Sequence, residues 1–381
     1  MTTRAMALLT RRDDLAQVAW REGQPDGRPL LSADSLPEGS VLLRVEAVAL
    51  TANTMTYGLL GEQFRYWDFF PTAEPGWGCL PAWGTGVVEL SSMPDLPPGS
   101  RVSGLLPVAS HCVLRPVRVT ADSLRDGAQH RRELPGSYQH YDRLASASGN
   151  RAPSTDEALG VLLRPLFILG FLLADYLAEL AQRRDISTVV LTSASSKTAQ
   201  AVAQQLAASG IHIVGLTSDA RVDAVVASGL YGSVLSYPQA DLAAARAAGG
   251  DVVLVDLAGD ASLRERLRTA LAPRVDRTVL VGATHRPAAP ALVPSPNEEV
   301  FFAPDRLRQR TADWGALDLR RRQDLAWADY LTATRQRIEM LHAHGPAAAE
   351  LAYREVIEGR CPPDHGHLLH LSGGSPDDVR R

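Results

Sequence analysis

Short apolar runs separated by glycine and proline dominate the first 110 residues of the chain. They lie at 40–50, 84–90, 101–106 and 111–114. Runs of this length between turn-forming residues predict the strands of a compact β domain. A polar stretch, 122–151, ends this region.

Beyond residue 151 the pattern alternates between strand and helix. Apolar, β-branched segments predict strands at 188–192, 211–216, 233–237, 252–257, 278–281 and 299–302. Helical periodicity predicts helices at 198–208, 222–228, 241–248 and 262–271. Repeated βα units with short connections predict a doubly wound α/β architecture, in which a parallel sheet is covered on both faces.

Three segments complete the prediction. The most apolar segment, 158–180, is interrupted by charged residues, so it predicts a buried helix, or two helices joined at Pro165, and no membrane span. Residues 306–343 carry apolar positions at helical spacing and predict helices on the outside of the domains. Residues 367–371 alternate like a closing strand.

Composition narrows the class of protein. A chain of 381 residues predicts two domains. Its net charge of −4 argues against nucleic acid or an anionic membrane as the main partner. The three cysteines are far apart and predict neither a disulfide framework nor a thiolate zinc cluster. Because the N-terminus also lacks the apolar region of a signal peptide, we expect a cytoplasmic protein.

The chain has a single lysine, Lys197, among its 39 lysine and arginine residues. It lies between a predicted strand and a predicted helix, where α/β proteins bind phosphates. The dinucleotide fingerprint needs small residues at three positions, which are Ala194, Ser196 and Ala199 here, and none of them is glycine. We therefore expect the cofactor phosphates to contact a run of six residues, which are Ala194, Ser195, Ser196, Lys197, Thr198 and Ala199. The alternative is that Lys197 has no function and lies by chance at the solvent-exposed start of a helix.

The end of the second predicted strand indicates which cofactor binds. Thr217, Ser218 and Arg221 can hold a 2′-phosphate by charge-assisted hydrogen bonds, which favours NADPH. Asp219 supports the alternative cofactor, because a carboxylate directed at the ribose would favour NADH. Arg221 also fits the start of a solvated helix.

Small residues follow the strand predicted at 278–281. Gly282 and Thr284 would lie at the carboxyl edge of the sheet, where open α/β sheets bind their ligands. We expect them to face the nicotinamide, although Gly282 also fits an ordinary turn at a strand end.

Four segments, 41–53, 81–88, 189–206 and 353–371, make the chain resemble the medium-chain dehydrogenase/reductase superfamily over nearly its whole length. The resemblance implies a GroES-like catalytic domain from residues 1–150 and 340–381, a Rossmann domain from 151–339, and a homodimer. Through 66–71 and 193–199 the chain also resembles a family of unknown function within that superfamily, which supplies no activity.

The resemblance points to the zinc-free branch of the superfamily. Zinc-dependent members have a cysteine ligand and a Gly-His-Glu motif where this chain has Thr51-Ala52-Asn53 and Ala82-Trp83-Gly84. The cysteines and histidines also lack the spacing of a catalytic zinc site, so we expect no metal. The zinc-free members are quinone and enoyl reductases that use NADPH.

Hydride addition to an activated alkene without a metal leaves an enolate that must be stabilised and protonated, and a tyrosine can do both. The resemblance implies Tyr57 as this donor, with Tyr66 as the second candidate. Asn53 would bond the nicotinamide ribose or the substrate carbonyl, or hold its own turn. Either tyrosine ring also fits a packing role, with its hydroxyl bonded to backbone.

Several aromatic residues fit either the wall of an apolar pocket or the core. They are Trp67, Phe69, Phe70, Trp77 and Phe167. The sequence thus predicts a zinc-independent, NADPH-dependent oxidoreductase that reduces an activated C=C or C=O bond of a small apolar or acyl substrate. The alternative is a nucleotide-binding, reductase-like sensor or complex subunit without turnover, which the glycine-free turn favours.

Overall fold

The computed structural model describes residues 5–145, 154–282 and 294–371. In chain order the strands of these ranges are β1 (Met6–Arg11), β2 (Val18–Glu22), β3 (Val41–Leu50), β4 (Trp77–Cys79), β5 (Pro81–Ser91), β6 (Arg101–Pro107), β7 (His111–Leu114), β8 (Pro116–Val117), β9 (Ser123–Asp126), β10 (His140–Leu144), β11 (Ile186–Leu191), β12 (His212–Thr217), β13 (Ser233–Ser236), β14 (Asp251–Asp256), β15 (Val275–Leu280), β16 (Glu298–Val300), β17 (Glu339–His344) and β18 (His365–His370). The α-helices are α1 (Ala52–Leu59), α2 (Thr155–Arg183), α3 (Lys197–Leu206), α4 (Val222–Ala227), α5 (Ala243–Arg246), α6 (Ala261–Leu271), α7 (Ala303–Trp314), α8 (Ala316–Thr334) and α9 (Gly345–Ile357). Contacts divide the chain into a terminal unit, Met1–Leu162 with Ile338–Arg381, and a central unit, Leu163–Arg337.

The terminal unit is built on a nine-stranded sheet and a three-stranded sheet. Strand β18 pairs antiparallel with β3, with Leu369 opposite Val48, so the end of the chain completes a sheet that the N-terminal region began. Both of these residues are fully buried in the core of the unit. Tyr353 of α9 adds a second tie, because its hydroxyl donates to the carbonyl of Leu15 at 2.7 Å.

The central unit is a doubly wound parallel sheet. Its six strands are arranged in the order β13-β12-β11-β14-β15-β16, and all adjacent strands are parallel. Val189 and Leu191 of β11 pack in one core with α2 and α3, whereas Val190 packs in another core with α6. Alternate side chains of a strand point to opposite faces, so both faces of the sheet are covered. The predicted α/β fold class is confirmed, and this strand order is typical of dinucleotide-binding sheets.

Helix α2 is one continuous helix that contains Pro165, where the sequence left open one helix or two. By length and composition it could cross a membrane, yet 61% of its most apolar window is buried in the structure. This burial favours the buried helix that the charged interruptions predicted.

One prediction is wrong. Residues 339–343, predicted as part of a helical segment, belong to β17. The polar stretch 122–151, for which the sequence predicted no element, contains β9 and β10. These strands are short, and their polar side chains hide the alternation that identifies a strand. Among the described strands, β17 pairs only with β18. Its strand conformation depends on this pairing with a segment distant in sequence, which the local sequence pattern cannot predict.

Candidate functional site

The predicted phosphate-binding segment forms the turn between β11 and α3. Ser193 has a left-handed backbone conformation, with φ of 53°, which reverses the chain after the strand. Ser196 caps the helix, because its hydroxyl accepts from the backbone N–H of Ala199 at 3.2 Å. Lys197 is the first residue of α3 and Thr198 the second, so both lie at the helix end where backbone N–H groups attract an anion.

A glycine in the adjacent strand accommodates the alanine at the first fingerprint position. A Cβ on Gly215 of β12 would stand 2.9 Å from the Cβ of Ala194 and 2.7 Å from the ring of Tyr231. The N–H of Ala194 donates to the carbonyl of Leu216 at 2.8 Å, and its carbonyl accepts from the Tyr231 hydroxyl at 2.7 Å. The turn therefore lies closely against β12, and its missing glycine is matched by one in the next strand.

The predicted 2′-phosphate residues lie at the end of β12. Thr217 is 1% exposed, and its hydroxyl donates to that of Ser195 at 3.2 Å, so it links the strand end to the phosphate turn. Ser218 and Arg221 lie in one tight turn, closed by the Arg221 N–H donating to the Ser218 carbonyl at 2.9 Å. Asp219 is exposed in the same turn.

A buried carboxylate ties the carboxyl ends of β11 and β14 together. Asp256 is 2% exposed and accepts from the hydroxyl of Thr192 at 3.0 Å and from Arg264 at 2.8 Å. The N–H groups of Ala258 and Gly259 also donate to it. These bonds fix the loop beside the phosphate turn.

Gly282 follows β15 and is buried at the same sheet edge, where a Cβ would stand 3.2 Å from the carbonyl oxygen of Leu257. This close approach supplies a local reason for glycine here. Thr284, the other residue predicted to face the nicotinamide, lies outside the described residues.

The predicted catalytic tyrosines meet in the terminal unit. The rings of Tyr57 and Tyr66 are 4.5 Å apart between centroids, and each residue is 5% exposed. Asn53 lies one turn before Tyr57 on α1 and hydrogen-bonds with its hydroxyl. The structure adds two half-buried residues, Tyr138 and Trp83. We call these five residues the tyrosine cluster.

Hydrogen bonds connect the cluster. The Nε1–H of Trp83 donates to the Tyr57 hydroxyl at 3.0 Å. The hydroxyls of Tyr66 and Tyr138 are 3.1 Å apart. Burial raises the pKa of Tyr57, while the hydrogen bonds of its hydroxyl oppose this rise. Burial also raises the pKa of Tyr66 and of Tyr138, so all three phenols remain protonated near neutral pH.

Buried polar contacts position the two loops of the cluster. Arg131 is 2% exposed and donates to the carbonyl of Phe69 at 2.8 Å, which fixes the 3₁₀ turn Tyr66–Phe69. Gln139, next to Tyr138, donates to the carbonyls of Arg131 and Leu134 at 2.7 Å each. Both loops are thus held by groups that the sequence did not single out.

Most of the aromatic residues that the sequence assigned to either a pocket wall or the core lie in the core. Trp67, Phe69, Phe70 and Phe167 are each at most 4% exposed, whereas Trp77 is half-buried and contacts the guanidinium groups of Arg11 and Arg21 with its ring. The ring of Trp67 is held between Gly61 and Gly78, where a Cβ would approach it within 2.1 Å and 2.3 Å.

The two segments that the sequence analysis compared with zinc-binding motifs both contribute a side chain to the tyrosine cluster. Asn53 and Trp83 both contact the Tyr57 hydroxyl. Cys79 and Cys112 are free and buried, and burial raises the pKa of both thiols, to about 12 for Cys112. Protonated thiols of this kind are poor metal ligands.

Sequence reasoning missed Trp83 and Tyr138 as partners of Tyr57, and Gly215, Tyr231 and Asp256 as supports of the turn. In the sequence, Trp83 stands out only as part of the segment that replaces a zinc motif, and Tyr138 lies in the polar stretch 122–151. A glycine inside the apolar run 211–216 was the one local signal of close backbone approach.

Comparison with known proteins matches residues 48–362 to a family described as "Protein of unknown function (DUF2855)". No match is found among the curated proteins. Among solved structures, CurA from Vibrio vulnificus in complex with NADPH aligns with a TM-score of 0.61 at 13% identity, covering 97% of this chain and 100% of that one. Mycobacterial Rv1454c complexed with NADPH gives 0.55 at 15%, covering 97% and 100%. CurK enoyl reductase gives 0.52 at 14%, covering 96% and 99%. At these identities the likeness shows that this chain shares the fold of these proteins.

Proposed function

Because the chain belongs to the DUF2855 family, whose description carries no activity, we propose a function from the two sites: an NADPH-dependent oxidoreductase that reduces an activated C=C or C=O bond without a metal. The central unit would bind the cofactor, and the tyrosine cluster of the terminal unit would supply the proton.

The observation that carries the proposal is the β11–α3 turn at the carboxyl edge of a six-stranded parallel sheet in dinucleotide-binding order. The turn fits a pyrophosphate, because the helix end and the ammonium of Lys197 are both positive there. Ser218 and Arg221, in one turn at the end of β12, fit a 2′-phosphate. Solved structures of this fold include two NADPH complexes, CurA and Rv1454c, which supports the same assignment.

The chemistry that bound NADPH supplies is hydride transfer to the electrophilic carbon of the substrate. The substrate then carries negative charge on oxygen and needs one proton. The neutral Tyr57 phenol can hydrogen-bond this oxygen and give up its proton, and the Trp83 Nε1–H then stabilises the phenolate left behind. Solvent restores the proton, so the balance is one NADPH and one proton consumed for each bond reduced.

The test is NADPH oxidation by the purified full-length chain against a quinone, an enone and an enoyl thioester, with Tyr57→Phe as the variant. We expect turnover with at least one substrate class, and a loss of kcat in Tyr57→Phe of about 10²- to 10⁴-fold with unchanged NADPH affinity. Tyr353→Phe is the matched control, since it removes a buried hydroxyl of the same unit that bonds Leu15, outside the cluster. Normal turnover in Tyr57→Phe would remove the assigned proton donor.

A nucleotide-binding protein without turnover is the second candidate. Two observations favour it: Tyr57 and Tyr66 are each only 5% exposed, and the turn has no glycine. Tight NADPH binding with no oxidation by any of the three substrate classes would select this function.

A further inference from the structure

Three histidines lie together on the outer face of the terminal unit's large sheet. His342 and His344 are two residues apart on β17, and His370 of β18 pairs directly with His344. The residues next to them, Ala343 and Leu369, are buried in the core, so the three imidazoles share the opposite face. Their ring nitrogens include one from each residue that all lie within 4.8 Å of one another. We call these residues the histidine cluster.

A backbone carbonyl fixes the tautomer of His370. The Nδ1 of His370 is 3.1 Å from the carbonyl oxygen of Glu46, which can only accept a hydrogen bond, so Nδ1 carries the proton. The Nε2 lone pair of His370 therefore faces the cluster, 2.9 Å from Nδ1 of His342. The Glu46 carboxylate is occupied by Arg101 at 3.0 Å, so Glu46 offers the cluster its carbonyl only. A ligand imidazole whose other nitrogen donates to a carbonyl is the usual outer-shell arrangement of a metal-binding histidine.

From this geometry we propose that His342, His344 and His370 bind one divalent transition-metal ion of the zinc class. Three neutral imidazoles suit zinc, cobalt, nickel or copper, whereas calcium and magnesium prefer oxygen ligands. His342 and His344 are exposed and His370 is half-buried, so an ion can enter from solvent and keep a fourth position for water. The site goes beyond the proposed reductase activity and does not depend on it.

Side-chain rotations of the two exposed histidines would complete the coordination. The rings are stacked with interplanar angles of 11° to 17°, and a metal lies in the plane of each imidazole that binds it. The two exposed rings must therefore turn. Tetrahedral ligands at about 2.0–2.1 Å from an ion are about 3.3 Å apart, so His342 and His370 must separate by roughly 0.4 Å. A bound ion would tie β17, at the end of the sheet, to β18 and stabilise the folded state.

The test uses the full-length chain without a polyhistidine tag, made metal-free with a chelator and titrated calorimetrically with zinc chloride and with cobalt chloride. We expect one ion per chain, an intense visible spectrum from tetrahedral cobalt, and a higher melting temperature with zinc. His342→Asn and His370→Asn should each weaken binding by more than the 10- to 100-fold that loss of an outer-shell partner costs.

His365→Asn is the matched control, because His365 lies on β18 at the end of the strand away from the cluster and should leave binding unchanged. Melting temperatures of the metal-free variants establish that each is folded. The absence of saturable binding by the wild-type chain, or binding that survives both cluster variants, would overturn the proposal.

Discussion

At the scale of single residues, Lys197 is the most informative side chain of the central unit. A cation at the first position of a helix lies at the positive end of the helix dipole, which is unfavourable by about 0.3–1 kcal/mol. A phosphate bound at this end would make the position of the lysine favourable, because the phosphate interacts favourably with both the helix N-terminus and the ammonium. The only lysine of the chain thus stands where an anion would give it a function.

The variant Lys197→Met tests this role. Loss of a charge-assisted hydrogen bond costs about 1.5–3 kcal/mol, so the NADPH dissociation constant should rise about 10- to 100-fold in calorimetry. Lys197→Arg keeps the charge and should retain part of the affinity. Unchanged affinity in Lys197→Met with reduced turnover would move Lys197 from phosphate to substrate.

At the scale of elements, the packing of β12 against the phosphate turn explains a fingerprint without glycine. Ala194 fits at the first fingerprint position because Gly215 leaves room for its methyl group. A local sequence motif cannot predict this contact between Ala194 and Gly215, since Ala194 follows β11 and Gly215 lies in β12, and the parallel sheet brings the two together.

A double-mutant cycle measures this packing. Gly215→Ala should destabilise the chain by about 1–3 kcal/mol, because its methyl group meets both Ala194 and the Tyr231 ring. Adding Ala194→Gly removes one of the two clashes and should restore part of the loss, with a coupling energy of about 0.5 kcal/mol or more by denaturant unfolding. Strictly additive effects would mean that the two residues do not compete for space.

At the scale of the whole molecule, the central sheet was predictable because its strands are apolar runs buried on both faces. The terminal unit was less predictable, since strands such as β9 and β17 carry charged or polar side chains. The tyrosine cluster was likewise predictable only in part. Tyr57, Tyr66 and Asn53 were each predicted from the sequence. Tyr138 was not, because it is 72 residues from Tyr66 and contacts it only in the tertiary structure. The histidine cluster was missed because 306–343, which contains His342 and ends one residue before His344, was interpreted as helix, where residues two apart do not share a face.

Buried phenols give the whole molecule a pH dependence. Burial raises the pKa of Tyr57, Tyr66, Tyr141 and Tyr353 in the folded chain, whereas unfolding returns each pKa to about 10. Above that pH the unfolded chain binds fewer protons than the folded chain, so stability falls as pH rises, by up to about 1.4 kcal/mol per pH unit for each phenol.

Thermal melts across the alkaline range should show this loss. We expect a melting temperature that is insensitive to these phenols below about pH 9 and falls above about pH 10, with tyrosinate absorbance appearing together with the loss of circular dichroism. Tyrosinate formation at about pH 10 with the fold intact would contradict the burial of these hydroxyls.

The measurement that tests the central claim most directly is calorimetric titration of the chain with NADPH and with NADH. We predict one NADPH per chain, bound at least about tenfold more tightly than NADH, because Arg221 would contribute a charge-assisted bond to the 2′-phosphate. In Arg221→Ala the two affinities should converge, while in the matched control Arg268→Ala, at a half-buried arginine of the same unit, they should stay apart. No binding of either nucleotide, or tighter binding of NADH, would contradict the account.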